Sequence, residues 1–194
     1  MRLTEAELID IPSYEMVYFV QVNQCTFSRD SQLLLTEYGA QKQDGVGIFY
    51  KSGQPVKTFS GHQNVIKTCA FSIQRDLLAT GSWDYTVGVW NLRRAGRTFI
   101  LEGHKGNVSC VAFSGIGMLA SGSWDKTIHV WDPRKGFLIF LLKEHYGRIT
   151  ALSFSMDSIL LATAAEDETI RVWDCEDGKC KKVLMVTYFQ AFSI

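Results

Sequence analysis

LLATGSWDYTVGVWN (77–91), LASGSWDKTIHVWD (119–132) and LLATAAEDETIRVWD (160–174) are three copies of one stretch. Trp90, Trp131 and Trp173 stand 41 and 42 residues apart, and so do Asp84, Asp125 and Asp167. Phe71, Phe113 and Phe154 keep the same period, at 42 and 41. Each copy is preceded by a second shared stretch: VIKTCAFS (65–72), VSCVAFS (108–114) or ITALSFS (149–155). Residue types that recur together at one spacing of about forty define a structural repeat, whose units bury their apolar faces against one another.

Within a unit the apolar residues come in short bursts rich in Val, Ile, Thr and aromatics, separated by Gly, Asp and Ser. That pattern predicts strands joined by turns. In the second unit four strands are expected, over 65–72, 77–82, 86–91 and 97–102. No segment carries a helical period. Ile128, Val130 and Trp131 place apolar groups on both sides of a third strand, so the sheet is expected to be covered on both faces, by neighbouring units.

The 194 residues are 46% hydrophobic and 12% aromatic, with 20 Lys+Arg balanced by 20 Asp+Glu. This is a well-cored globular composition with no net charge to draw it toward phosphate backbones or anionic lipid, so neither a nucleic-acid nor a membrane partner is expected. The longest apolar run, Phe137-Leu-Ile-Phe-Leu-Leu142, is too short to span a bilayer. The first residues lack the basic and apolar regions of a secretory signal. Five cysteines without a CxxC fit a reducing compartment, so an intracellular setting, cytoplasm or nucleus, is expected.

Four-stranded sheets with this period are propeller blades, and the residues match a known family. Gly61-His62, Gly103-His104 and a weaker Glu144-His145, the turn aspartates, and Trp-Asn or Trp-Asp at 90–91, 131–132 and 173–174 resemble the WD40-repeat proteins. The resemblance implies an all-β fold, a WD40-type β-propeller of about four four-stranded antiparallel blades. A lead-in (1–17) is followed by a degenerate repeat (18–60), three good repeats (61–102, 103–143, 144–186) and a tail (187–194). In the degenerate copy Tyr18 takes the histidine slot and Phe49 the tryptophan slot. Seven blades, the commonest number in the family, would need roughly 290 residues at this period. The expectation is therefore an incomplete ring from a partial or truncated member, with apolar end faces and self-association through them.

Each good repeat holds a His, a hydroxyl, an Asp and a Trp: His62, Thr80, Asp84, Trp90; His104, Ser121, Asp125, Trp131; His145, Thr163, Asp167, Trp173. A nucleophilic triad occurs once, beside an oxyanion hole, whereas this set recurs with the repeat, so it reads as structural rather than catalytic. In the family the matching positions form a hydrogen-bonded clamp. A hydrolase would need one repeat's set to differ from the others. No catalytic residue and no cofactor is expected. Gly45-Val46-Gly47 is followed by no Lys-Ser/Thr and is not a phosphate loop. Cys175 and Cys180, with Asp174 and Asp177, fall short of a tetrahedral metal set. His129 reads as a surface residue of its blade.

The resemblance places partner contacts three and five residues after each histidine and just before each turn aspartate. Here these are Val65, Lys67 and Trp83; Asn107, Ser109 and Trp124; Arg148, Thr150 and Glu166. Turn chemistry does not ask for Trp83 and Trp124. They read either as anchors for a peptide or protein partner, beside Lys67 and Arg148, or as indoles packed on the next blade's turn. The expected function is a non-catalytic protein-interaction scaffold. A second reading rests on Trp131-Asp132-Pro133-Arg134, which resembles the WDxR box of cullin-4 ubiquitin-ligase substrate receptors, with Asp132 and Arg134 as docking residues.

Overall fold

The computed structural model describes residues 21–27, 33–39, 45–50, 52, 55–73, 77–92 and 97–185. The expected lead-in and tail lie outside these residues, as does Tyr18. Sixteen strands form four antiparallel sheets, each built from four consecutive strands in chain order.

The first sheet is β1 (Gln21–Phe27), β2 (Leu33–Gly39), β3 (Gly45–Tyr50) and β4 (Pro55–Ser60). The second is β5 (Ile66–Phe71), β6 (Leu77–Ser82), β7 (Val87–Asn91) and β8 (Arg97–Leu101). The third is β9 (Val108–Phe113), β10 (Leu119–Ser123), β11 (Ile128–Asp132) and β12 (Phe137–Leu142). The fourth is β13 (Ile149–Phe154), β14 (Leu160–Ala165), β15 (Thr169–Asp174) and β16 (Cys180–Met185). The strands expected in the second unit all form, three of them a residue shorter at one or both ends.

Register repeats with the sequence. Leu78 pairs with Trp90, Leu119 with Trp131 and Leu161 with Trp173. In the degenerate first sheet Leu34 pairs with Phe49 in the same slot. All four sheets also carry a register shift on the outermost pairing, just ahead of this Trp or Phe. Such a bulge adds local twist.

The sheets stack in chain order, with β1 against β5, β5 against β9 and β9 against β13. Each sheet has a forward face toward its successor and a rear face toward its predecessor. The forward residues Leu77, Ala79, Val87, Val89 and Leu101 form one cluster with the rear residues Val111, Phe113, Leu119 and Trp131 of the third sheet. The forward residues Ala120, Ile128, Val130 and Leu142 then meet Leu161 and Trp173 of the fourth, along with Ile149. Every large buried side chain therefore serves two sheets at once. A Cβ at Gly122 would lie 2.5 Å from Ile149 Cγ2, so this close approach of adjacent sheets requires glycine. Polar bonds add to it. Val111 N–H donates to Thr68 Oγ1 at 3.3 Å, and Gly115 N–H to Ser158 Oγ at 2.8 Å.

The described residues make an open arc of four propeller blades. None of their helices is long and apolar enough to cross a membrane.

Candidate functional site

The repeated polar set assembles in all three good blades. Trp90 Nε1–H donates to Thr80 Oγ1 at 2.8 Å, Thr80 Oγ1 lies 2.7 Å from His62 Nε2, and His62 Nδ1 lies 2.8 Å from Asp84 Oδ2. The same three distances are 2.8, 2.8 and 3.0 Å for Trp131, Ser121, His104 and Asp125. They are 2.8, 2.9 and 2.9 Å for Trp173, Thr163, His145 and Asp167. A carboxylate only accepts, so a neutral imidazole carries its proton on Nδ1 and takes the hydroxyl proton at Nε2.

This is the bond order of a serine triad, and what differs is the hydroxyl's surroundings. Its oxygen is already committed to the indole N–H, and Thr80, Ser121 and Thr163 are fully buried, so no carbonyl can approach. The network instead ties the second and third strands of each blade, the turn between them and the entry loop together.

Three further residues of this network do not stand out in the sequence. Thr86, Thr127 and Thr169 each bond the turn aspartate twice, by backbone N–H at 3.0, 2.9 and 3.1 Å and by hydroxyl at 2.7, 2.6 and 2.7 Å. Their own spacing of 41 and 42 is a usable signal. Each aspartate also accepts the backbone N–H following the histidine, from Gln63, Lys105 or Tyr146.

Burial alone would raise these carboxyls. The bonds outweigh it and hold all three well below the usual carboxylate range: His62, the Gln63 N–H and Thr86 on Asp84; His104, Thr127 and the Lys105 N–H on Asp125; Thr169, the Tyr146 N–H and His145 on Asp167. Asp125→Ala strands the Lys105 N–H and leaves the His104 Nδ1–H only the longer contact with Thr127 Oγ1 at 3.3 Å. It is expected to cost about 1–3 kcal/mol. Thermal and urea unfolding check this, and an unchanged melting temperature contradicts it.

His129, expected at the blade surface, is buried. It stands on the rear face, where its imidazole stacks on His104 with ring centroids 3.7 Å apart and planes within 14°. Gly88 and Arg171 hold the same register slot in the adjacent blades, and neither predicts this burial. A Cβ at Gly88 would crowd Thr80, Trp90 and His62, and Arg171 reaches out to Glu144 at 2.7 Å. Burial, then the neighbouring His104, pushes His129 down to about 3.

Among the described residues one trio, His104, Asp125 and His129, brings possible metal-ligating atoms within 4.8 Å of one another. Both ring nitrogens of His104 are already bonded, and stacked imidazoles hold their in-plane lone pairs in near-parallel planes, with ring centroids 3.7 Å apart, so they do not converge on one point. The trio does not suit a metal, whose ligands must converge. Cys175 and Cys180 are free thiols packed against the core between the third and fourth sheets. Burial pushes Cys175 up to about 11, which favours the thiol over the thiolate a metal needs.

The nine positions expected to contact partners lie near one end of the blades. At that end a backbone bond of 2.9 Å joins Trp83 N–H to Val65 O, Trp124 N–H to Asn107 O, and Glu166 N–H to Arg148 O. Three of the nine side chains stack in a row across three blades. The Trp83 and Trp124 rings lie 5.7 Å apart, and the Arg148 guanidinium sits 4.4 Å over the Trp124 ring. Glu166 flanks Arg148 at 3.9 Å, with both side chains about half exposed. Trp124 is exposed, whereas Trp83 is half-buried and its Nε1 meets no acceptor among the described residues. Lys67 is exposed nearby in the chain.

Two of the other positions spend their hydroxyls on backbone carbonyls. Ser109 Oγ donates across to Ile149 O of the fourth sheet at 2.5 Å, and Thr150 Oγ1 to Ala164 O at 3.3 Å. Asp132 Oδ1 accepts the Arg134 N–H at 2.8 Å, a turn that Asp174 repeats with Glu176 at 2.7 Å, while Arg134 stays exposed.

Known proteins agree with this architecture. A chain in the crystal structure of a mitotic checkpoint complex superposes with a TM-score of 0.78 at 26% identity, over 85% of this chain and 51% of that one. The WD repeat-containing protein WDS homolog of Arabidopsis thaliana is 40% identical over 96 residues, 48% of this chain and 18% of its own length. Eukaryotic translation initiation factor 3 subunit I of Neosartorya fischeri is 40% identical over 73 residues, 37% of this chain and 21% of its own. WD repeat-containing protein 82 of Drosophila melanogaster is 30% identical over 122 residues, covering 56% and 38%. The chain thus spans about half of the solved chain and well under half the length of the three WD-repeat and initiation-factor relatives. The family model described as WD domain, G-beta repeat matches residues 53–91, 96–132 and 136–174, each running from the outer strand of one sheet through the third strand of the next. These matches take in more than half of the sequence, and the chain belongs to the WD40-repeat family.

Proposed function

We propose that this chain is a non-catalytic protein-interaction platform, and that the row formed by Trp83, Trp124 and Arg148 receives a short peptide or protein loop. The stacking of these three side chains across three blades carries the reading. Two large indoles held by rigid turns offer contact area at little entropic cost, the usual make-up of a binding hot spot. With one face of its guanidinium against Trp124, Arg148 keeps its edge for a carboxylate, and Glu166 is an exposed competitor at 3.9 Å. The fitting partner therefore carries an acidic residue beside an apolar or aromatic one. An intracellular setting belongs to the same reading, in keeping with the thiols of Cys110, Cys175 and Cys180.

Selection from a displayed peptide library on the purified chain tests this. Enriched peptides are expected to combine an acidic with an apolar residue. The double replacement Trp83→Ala, Trp124→Ala is expected to abolish their binding while leaving the melting temperature in place. Simultaneous loss of binding and folding would assign the indoles to blade packing instead.

A further inference from the structure

The fourth sheet repeats a face that is buried in its two predecessors and leaves it open. Leu101 and Leu142 occupy one register slot on the forward faces of the second and third sheets, at 2% and 5% exposure. Leu184 holds that slot in the fourth, at 40%. Ile170 and Val172 stand where Val87, Val89, Ile128 and Val130 are buried, and both are partly uncovered. Leu160 is exposed in the slot where Leu77 is buried. Position on the outer strand is not the cause. Val183, beside Leu184 but on the rear face, is exposed just as its counterparts Ile100 and Leu141 are.

We propose that a second copy of this chain covers this face with its own first sheet, so that two chains close head to tail into a two-fold ring of eight sheets. The inter-sheet contact always joins a forward face to a rear face, through the Leu–Trp pair on the rear side. Leu34 opposite Phe49 stands in that rear-face slot of the first sheet, ahead of which no sheet lies among the described residues. The chain thus carries both halves of the contact that it already makes three times internally. Continued once more, that contact sets the Leu34–Phe49 slot of one copy over Ala162, Ile170 and Val172 of the other.

Among the described residues a single copy leaves both end faces open, and a head-to-tail contact that closes after two copies leaves neither. Eight sheets fall within the range of closed propellers, and the arc corresponds to about half of the similar chain in the mitotic checkpoint complex. The face departs from its predecessors at three slots, the first being Ser153 on the inner strand where Ala70 and Ala112 stand. Ala164 replaces Gly81 and Gly122, so the opposing residue sits slightly farther out. Lys182 replaces Phe99 and Phe140, and its stem can cover apolar surface while its ammonium stays in water.

Light scattering coupled to size exclusion on the purified chain is expected to give twice the 21.9 kDa chain mass. Leu184→Lys, which places a charge on the open face, is expected to halve that mass and keep a cooperative melt. Val183→Lys, on the same strand but the opposite face, is expected to leave it doubled. A wild-type mass of one chain, a doubled mass indifferent to Leu184→Lys, or an open series of larger species would each overturn the proposal.

Amine cross-linking of wild-type chain mixed from heavy-nitrogen and natural-abundance batches does not depend on the variant folding. Cross-links of mixed isotope are expected between Lys182 and Lys57, which stands on the outer strand of the first sheet. Their absence, or Lys182 joined to Lys182, would overturn head-to-tail closure.

Discussion

Trp131→Ala is expected to lower the free energy of unfolding by about 3–5 kcal/mol. The indole lies in the cluster shared by the second and third sheets, against Leu77, Ala79, Val87, Val89 and Leu119, so its removal opens a cavity between blades rather than within one. It also deprives Ser121 Oγ of the N–H that satisfies it at 2.8 Å, in a fully buried site. Trp131→Phe separates the two effects. It keeps most of the apolar contact, loses the donor, and is expected to cost markedly less. Urea unfolding followed by circular dichroism measures both. A loss below about 1 kcal/mol for the alanine variant would mean that neighbouring blades are not coupled through this ring.

Stability is expected to fall as the solution is acidified from neutrality, with His129 as the first cause. In the unfolded chain its imidazole takes a proton near the ordinary value of 6.5, whereas in the fold burial and the stacked His104 delay this until about 3. Between these values the unfolded state binds the extra proton, so its contribution is intact above about 6.5 and is lost progressively below. At about 1.4 kcal/mol per pH unit the loss reaches about 2 kcal/mol by pH 5. The groups acting on the ring are His104 and Lys143, which oppose protonation, and Asp125, which favours it.

Asp84, Asp125 and Asp167 follow in a lower window. Their carboxyls are depressed in the fold, so what they contribute is present above the ordinary carboxylate range and lost as pH drops through the native values. His129→Phe keeps a ring against His104 and removes the titration. Melting temperatures at pH 7 and pH 5 are expected to converge in this variant and to differ in the wild type. An equal drop in both would place the acid sensitivity elsewhere.

Repetition makes much of the site legible in the sequence. His62, Thr80, Asp84 and Trp90 recur in two further copies, and a set that recurs with the period must belong to something each blade needs. Thr86, Thr127 and Thr169 carry the same spacing but do not stand out, because threonine is common in strands and turns. Their role shows only in the pair of bonds each gives to its aspartate. His129 cannot be read in this way. Its slot holds Gly88 and Arg171 in the adjacent blades, so the repeat offers no precedent for what an imidazole does there. Its burial goes with the stack it makes on the His104 ring.

The strand pattern and the recurring His, hydroxyl, Asp and Trp set follow from the sequence alone, because each is decided within one unit of about forty residues and stated three times. The row of Trp83, Trp124 and Arg148 and the open face bearing Leu184 come only from tertiary structure. Residues 41 and 24 positions apart meet in that row because close contacts such as that of Gly122 with Ile149 set how far each sheet lies from the next. Leu184 differs from Leu101 and Leu142 not in its own chemistry but in whether, among the described residues, a further sheet stands before it.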